Sequence, residues 1–257
     1  MATEGSARRG LKAHDRVLPP NTLTPEMPVV LPCHNEADNI VRYPDALFPA
    51  LDSLGLGYEL LLIDDGSTDA TPARAADLQS ARKEVRLVTL ASNLGLGGAL
   101  RAGFSEARGA FIATLDADLT FPPASIKDLY QAAVAGKADL VSGSPYLRRD
   151  DMTDVPWARR LPSLMINALY RSLFGHALTA YTPVFRLYRS SFIKSLDLMA
   201  NGFEINAEIA ARAMIDRRVV IELPVPLHAR TAGASKLQRG RELKRHLSLI
   251  LRLLSGQ

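Results

Sequence analysis

The chain alternates short apolar runs with longer amphipathic stretches. Residues 28–32 (PVVLP), 58–63 (YELLLI), 85–90 and 111–115 are apolar runs bounded by turn residues, and each predicts a buried strand. Between them, helical patterning covers 37–54, 71–81, a stretch from the glycine-rich turn 92–98 to about 108, and 123–135. Pro44 and Pro49 interrupt the first of these, and Gly55 and Gly57 end it. Thr71-Pro72 opens the second with favourable first-turn chemistry. A further strand is expected at 138–143. Strands and helices therefore alternate up to residue 143, which predicts an α/β fold with a parallel sheet. The remainder reads as a polar loop at 144–155, a helix at 159–174, a strand at 184–188, a helix at 206–215, a strand at 218–223, a basic loop at 228–237 and a final amphipathic helix at 241–254.

Composition narrows the class. A length of 257 residues with 47% hydrophobic content suffices for one large domain with a substantial core. No stretch of 18 or more apolar residues occurs, so no membrane-spanning helix is expected within the chain. The polar start, with prolines at 19, 20 and 25, lacks a signal-peptide core and is expected to be a disordered tail over 1–27. The single cysteine, Cys33, excludes an internal disulfide framework and is compatible with a reducing compartment. Charge is concentrated at one end. From residue 228 onward seven Lys/Arg face one acid, Glu242, so this end carries +6 while the whole chain carries +4. Such an end suits phosphates or an anionic membrane surface. Nucleic acid is not an expected partner, because no binding-module signature is present.

The candidate chemistry sits where strands end. The fourth apolar run leads into Asp116-Ala117-Asp118. If that strand continues to residue 118, both carboxylates face one way, and two hard oxygen ligands suit Mg2+ or Mn2+ carrying a phosphate. The second strand ends in Asp64-Asp65 and the first in Cys33-His34-Asn35-Glu36. Each group alone reads equally well as turn or cap chemistry. Carboxylates at three strand ends converging on one sheet edge describe a nucleotide and metal site. The turn SNLGLGG (92–98) has the wrong spacing for a dinucleotide fingerprint and follows the third strand, so its glycines are expected to serve turn geometry and packing.

These segments together resemble a family. VVLPCHNEADNI (29–40), LLIDDGSTDAT (61–71), NLGLGGALRAGFSEARGAFIATLDADLTFPP (93–123), DLVSGS (139–144), FRLY (185–188), FEINAEI (203–209) and RTAGASKL (230–237) are similar to family 2 glycosyltransferases of GT-A fold. Within that family the branch is that of dolichyl- or polyprenyl-phosphate mannose or glucose synthases. The resemblance implies a Rossmann-like, mostly parallel sheet flanked by helices, forming one domain over 28–240, with a basic amphipathic helix at 241–257. It implies an inverting, metal-dependent transfer from a GDP- or UDP-sugar to a polyprenyl or dolichyl phosphate, with Mg2+ or Mn2+ as cofactor. A cytoplasmic protein, peripheral at the membrane face, is the matching location, and assembly into a homo-oligomer is compatible with it.

Carried over by position, Pro32, His34 and Glu36 would line base and ribose, with Asp65 and its neighbour Asp64 contacting the same part. Asp116 would touch ribose or metal, and Asp118 would ligate the metal on the diphosphate. Arg159 and Ser163, one helical turn apart, would meet the acceptor phosphate. Arg230 and Lys236 would close on the phosphates. Three positions depart from the family pattern: Pro145 replaces a usual arginine, Ala180 a usual aspartate, and Thr120 a usual glutamine. All lie on the acceptor or metal side. They keep two alternatives open: a GT-A enzyme with a hydroxyl acceptor, using Glu204, Glu208 or Asp216 as base, and a nucleotide-sugar-binding module without transfer.

Overall fold

The computed structural model describes residues 27–148, 157–229 and 239–255. Four strands lie side by side and parallel in the order β3-β2-β1-β4: β1 (Met27–Cys33), β2 (Tyr58–Asp64), β3 (Val85–Thr89) and β4 (Phe111–Thr114). Alternate residues on β1 and β2 feed two separate cores. Val29, Leu31, Leu60 and Leu62 join one cluster, while Val30, Leu61 and Ile63 join the other. That period of two, with both faces apolar, explains why these strands read as continuous hydrophobic runs.

Helices cover both faces. The stretch 37–54 forms three short segments, α1 (Ala37–Ile40), α2 (Tyr43–Ala46) and α3 (Phe48–Asp52). Pro44 and Pro49 sit in the first turns of α2 and α3, where a missing N–H costs nothing. Next come α4 (Thr71–Ala81), α5 (Gly95–Glu106) and α6 (Ile126–Ala135). After β5 (Leu140–Ser144) the chain adds α7 (Trp157–Phe174), β6 (Arg186–Arg189), α8 (Ser190–Ile193), α9 (Ile205–Ile215), β7 (Val220–Pro224) and α10 (Arg239–Leu254). Helices α1–α4 and α6 pack on one cluster; α5, α7, α9 and α10 pack on the other.

The sheet is mostly parallel, with one departure from the expected run. β5 does not pair with β4. β6 enters between them, antiparallel to both, and β7 lies parallel to β5 at the edge. Local alternation of strands and helices carries no signal for a strand that arrives some forty residues later. Arg186 ties this region together. It is fully buried, and its guanidinium donates to Ser142 Oγ (3.3 Å), the Asn206 carbonyl (2.5 Å) and the Tyr181 carbonyl (2.7 Å). These acceptors replace the solvent that a buried charge requires.

Gly103 on α5 serves packing. A Cβ at Gly103 would overlap Val30 Cγ1 and crowd Ile63 on the underlying strands. Gly103→Val therefore overpacks the α5–sheet interface and is expected to lower unfolding stability by about 1–3 kcal/mol. Urea denaturation checks this: the midpoint falls while the slope is unchanged.

Candidate active site

The register of the sheet sets the site. Cys33 pairs with Asp64, so β1 and β2 end level with each other. The loop after β1 is then sewn to the loop after β2. Asn35 adopts a left-handed conformation (φ 52°), which asparagine tolerates well. Its backbone N–H donates to Ser67 Oγ (2.9 Å), and its Oδ1 accepts from the Thr68 (2.8 Å) and Asp69 (3.3 Å) amides. His34 Nδ1 donates to the Asp65 carbonyl at 2.9 Å, fixing the tautomer and the ring plane. The Glu36 amide donates to Thr71 Oγ1 (2.7 Å), and Glu36 Oε2 accepts from Asn39 Nδ2 (2.5 Å).

The two adjacent aspartates part company. Asp65 Oδ1 accepts from the Leu94 amide at 2.7 Å and the residue lines a cavity. Burial pushes its carboxyl above the ordinary aspartate value, opposed by the Leu94 and Gly95 amides. Asp64 does not line that cavity. It is buried, with Oδ1 accepting from the Ser67 amide (3.1 Å), and shapes the turn instead. The expectation that Asp64 shares ligand contact is corrected accordingly: successive residues point to opposite sides, and only one of the pair can face the cavity.

β4 ends at Thr114, so the alternation argument for Asp116 and Asp118 does not hold. A tight turn brings them together instead. The Leu119 amide donates to the Asp116 carbonyl (3.1 Å), and the Thr120 amide donates to Asp118 Oδ1 (3.1 Å). Leu119 is left-handed (φ 54°), a costly state for a bulky residue that its surroundings must enforce. Tyr43, fully buried on α2, donates its hydroxyl to the Ala117 carbonyl (2.9 Å) and pins the turn from below.

A cavity of about 210 Å³ lies over these strand ends. It is lined by Pro32, Cys33, His34, Glu36, Asp65, Asp116, Ala117 and Asp118. Asn93, Gly95, Leu96, Ala99 and Phe203 complete it. Every sequence-expected nucleotide residue except Asp64 thus meets in one place, at the C-terminal end of parallel strands. The roles of Asn93 and Phe203 were missed; both lie inside family-like motifs, but neither carries a chemistry that spacing alone announces. Among the described residues no group of three His, Cys, Asp or Glu forms a metal cage. A pair of carboxylates on one cavity fits a cation that keeps water and borrows phosphate oxygens, as Mg2+ does.

The acceptor-side residues are more dispersed. Arg230 and Lys236 lie outside the described residues. Arg159 sits in the first turn of α7, and its side chain also lies outside them. Ser163, one turn on, accepts from the Tyr146 hydroxyl (2.9 Å) and Asn167 Nδ2 (3.3 Å), and does not line the cavity. Ala180 is buried, its amide donating to Glu222 Oε1 (3.1 Å). None of the three carboxylates weighed as a base lines the cavity. Asp216 is at the far end of α9. Glu204 is buried with Oε1 accepting from the Gly202 amide (3.1 Å). Glu208 is 0% exposed, accepts from the Met199 and Ala200 amides, and pairs with Arg212 (3.3 Å). Its work is structural, because a carboxylate so fully engaged has no route to a substrate proton.

A doubly covered, mostly parallel α/β sheet with a carboxylate-lined cavity at its strand ends is consistent in architecture with the glycosyltransferase GT-A fold. The chain belongs to glycosyl transferase family 2, whose model matches residues 29–197. It is 36% identical over 213 residues to the undecaprenyl-phosphate 4-deoxy-4-formamido-L-arabinose transferase of Edwardsiella ictaluri (strain 93-146). The match covers 81% of this chain and 62% of that relative's length. Its fold is similar to glucosyl-3-phosphoglycerate synthase from Mycobacterium tuberculosis. The crystal structure of that enzyme with Mn2+ and UDP-glucose superposes with TM-score 0.68 at 22% identity, over 90% of this chain and 78% of that one. Its complex with Mg2+ and UDP gives TM-score 0.66 at 22% identity, over 90% and 79%.

Glu208→Ala leaves two amides and Arg212 without their acceptor, and is expected to cost about 3 kcal/mol or more of stability. Thermal and chemical denaturation check this; unchanged stability would return Glu208 to the list of candidate bases.

Proposed function

We propose that this chain transfers a sugar from a GDP- or UDP-sugar to a polyprenyl phosphate, with inversion at the anomeric carbon. The observation that carries the proposal is the convergence of Pro32, His34, Glu36, Asp65, Asp116 and Asp118 on one cavity at the strand ends. That the 36% identical relative is an undecaprenyl-phosphate sugar transferase supports a polyprenyl-phosphate acceptor. In this reading Pro32, His34, Glu36 and Asp65 hold base and ribose, while Asp116 and Asp118 face the diphosphate.

Asp116 and Asp118 would hold a divalent cation, Mg2+ or Mn2+, whose presence beside UDP in the structural neighbours supports the assignment. Such an ion supplies positive charge where the leaving diphosphate gains negative charge. An acceptor phosphate oxygen forms the new bond to the anomeric carbon as the bond to the nucleoside diphosphate breaks. That oxygen is already anionic at neutral pH, so no strong general base is required. This agrees with the burial of Glu204 and Glu208 away from the cavity. Arg159, Arg230 and Lys236 are the cations proposed to receive the acceptor and donor phosphates.

The acceptor is a membrane lipid, and the surface offers a matching face. α7 exposes Leu161, Leu164, Met165 and Leu169, and α10 exposes Leu243, Leu247 and Leu251 beside Arg241 and Lys244. No helix among the described residues is long and apolar enough to cross a membrane. Amphipathic helices of this kind lie in the interface, drawn by anionic lipid at roughly 1 kcal/mol per nearby cation.

Two outcomes test the proposal. Asp118→Asn is expected to abolish metal-supported donor binding by calorimetry while the melting temperature holds. Unchanged metal-dependent affinity would remove Asp118 from the site. The protein is also expected to sediment with anionic vesicles at low salt and release at high salt, with Leu251→Glu weakening the low-salt association. Equal sedimentation with neutral and anionic vesicles at all salt concentrations would exclude the electrostatic part.

A further inference from the structure

The turn that carries Asp116 and Asp118 lies just beyond the reach of the sheet. Strand pairing holds the chain as far as Leu115, whose amide donates to the Val30 carbonyl at 3.1 Å. Past that point the turn's own bonds, from the Leu119 amide to the Asp116 carbonyl and from the Thr120 amide to Asp118 Oδ1, close it without fixing where it sits. Contacts from elsewhere in the chain do that. The His228 amide donates to the Thr120 carbonyl at its far end (2.9 Å), and the Tyr43 hydroxyl donates to the Ala117 carbonyl at its centre (2.9 Å). Ala117 stands between the two carboxylates in sequence, so the Tyr43 bond falls on the peptide unit that leads into Asp118.

Tyr43 suits this bond in position and in protonation. It is the first residue of α2, where Pro44 sets the start of the helix, and it is fully buried in the core cluster of that face. It does not line the cavity. A phenylalanine would fill the same space with no polar atom to satisfy, whereas a buried hydroxyl is costly unless it has a partner. Burial, reinforced by Cys33, Glu36 and Asp118 nearby, pushes the hydroxyl well above the ordinary tyrosine value, so it stays protonated and donates. Leu119 is held left-handed (φ 54°), a state that persists in a bulky residue only where the surroundings over-determine it. A turn under that strain needs an anchor to keep two carboxylates in one arrangement. A divalent cation is sensitive to that arrangement, because Mg2+ demands near-ideal octahedral geometry. Groups that orient metal ligands from behind commonly carry roughly ten- to a hundredfold of the affinity.

We propose that Tyr43 is a positioning residue for the cation. By holding the Ala117 carbonyl it sets the arrangement of Asp116 and Asp118, and so the metal affinity of the donor site, without touching metal or substrate. The proposal rests on the metal and nucleotide-sugar reading above and extends it to a residue outside the cavity.

The test uses the whole chain, with UDP and GDP as nucleotide probes and Mn2+ as the metal. Calorimetry measures nucleotide affinity without metal and across a Mn2+ titration for the wild type, Tyr43→Phe and Tyr170→Phe. Tyr170→Phe is the control: it removes another fully buried hydroxyl, bonded to His246 Nδ1 at 3.0 Å, from a residue that does not line the cavity. Tyr43→Phe is expected to raise the Mn2+ concentration needed for half the effect roughly tenfold, while metal-free affinity stays within about twofold. Excess Mn2+ is expected to restore nucleotide affinity in Tyr43→Phe and not in Asp118→Asn, which separates a positioning residue from a ligand. An unchanged Mn2+ response in Tyr43→Phe, or the same change in Tyr170→Phe, overturns the proposal. Hydrogen exchange on the wild type gives a reading that needs no variant. Mn2+ added to the UDP- or GDP-bound protein is expected to slow the amides of 45–47, in and just after α2, together with those of Leu119 and Thr120. Slowing confined to the turn overturns the proposal and leaves the metal reading standing. No effect of Mn2+ on either nucleotide in the wild type overturns both.

Discussion

The level pairing of β1 with β2 is the constraint on which the rest depends. Parallel strands cannot be joined by a tight hairpin, so each must leave the sheet at one end and return through a helix. All loops that follow β1, β2 and β4 consequently emerge at one edge. Because Pro32 lies opposite Ile63 and Cys33 opposite Asp64, the first two loops start at the same height. A slip of one residue would turn Asp65 away from the cavity and bring Asp64 in, while inverting the two apolar cores beneath. The cores hold the register, since Leu60 and Leu62 on one face and Leu61 and Ile63 on the other are all fully buried.

Polar loops at the rim of a buried sheet must find partners for their backbone groups, and here they find them in one another. Asn35 carries three of these bonds between the loops after β1 and β2, and Thr71 and Asp69 add the amides of Glu36 and Ala37. On the other side Tyr43 reaches from α2 to the Ala117 carbonyl. The cavity is therefore held by side chains that do not line it. This is economical for binding a charged ligand, because loops already ordered lose little further entropy when it arrives.

Much of this arrangement was legible before any coordinates. The apolar runs that became β1, β2, β3 and β4 were unambiguous, and the acids placed after three of them pointed to one edge. The prolines that cut 37–54 into three helices were equally plain. What could not be seen depends on distant contacts. β6 enters between β4 and β5 because Arg186 and its neighbours pack there, and no local pattern distinguishes that position from an outer edge. The division of labour between Asp64 and Asp65 hinges on a single residue of register. Glu208 looked like a candidate base because its setting in the FEINAEI motif says nothing of the two amides and the arginine that occupy it.

That occupation of Glu208 bears on the donor cavity itself. Phe203 lines its far side, and the segment that leads to it, residues 199–203, is gripped from two sides. Glu208 takes the Met199 and Ala200 amides. From α5, the Gly97 amide donates to the Asn201 carbonyl at 2.9 Å, and Arg101 donates to Asn201 Oδ1 and the Ala200 carbonyl. A Cβ at Gly97 would overlap the Ala200 carbonyl, so the approach of α5 to this segment requires glycine there. The carboxylates of the cavity come from the first half of the chain, whereas Phe203 comes from the second. The glycine-lined face of α5 joins the two halves: its N-terminal turns meet the 199–203 segment, and its middle packs on the strands that carry Asp65 and Glu36. Closing that interface places Phe203 opposite the strand-end acids, and so it makes a cavity from two parts of the chain that are far apart in sequence.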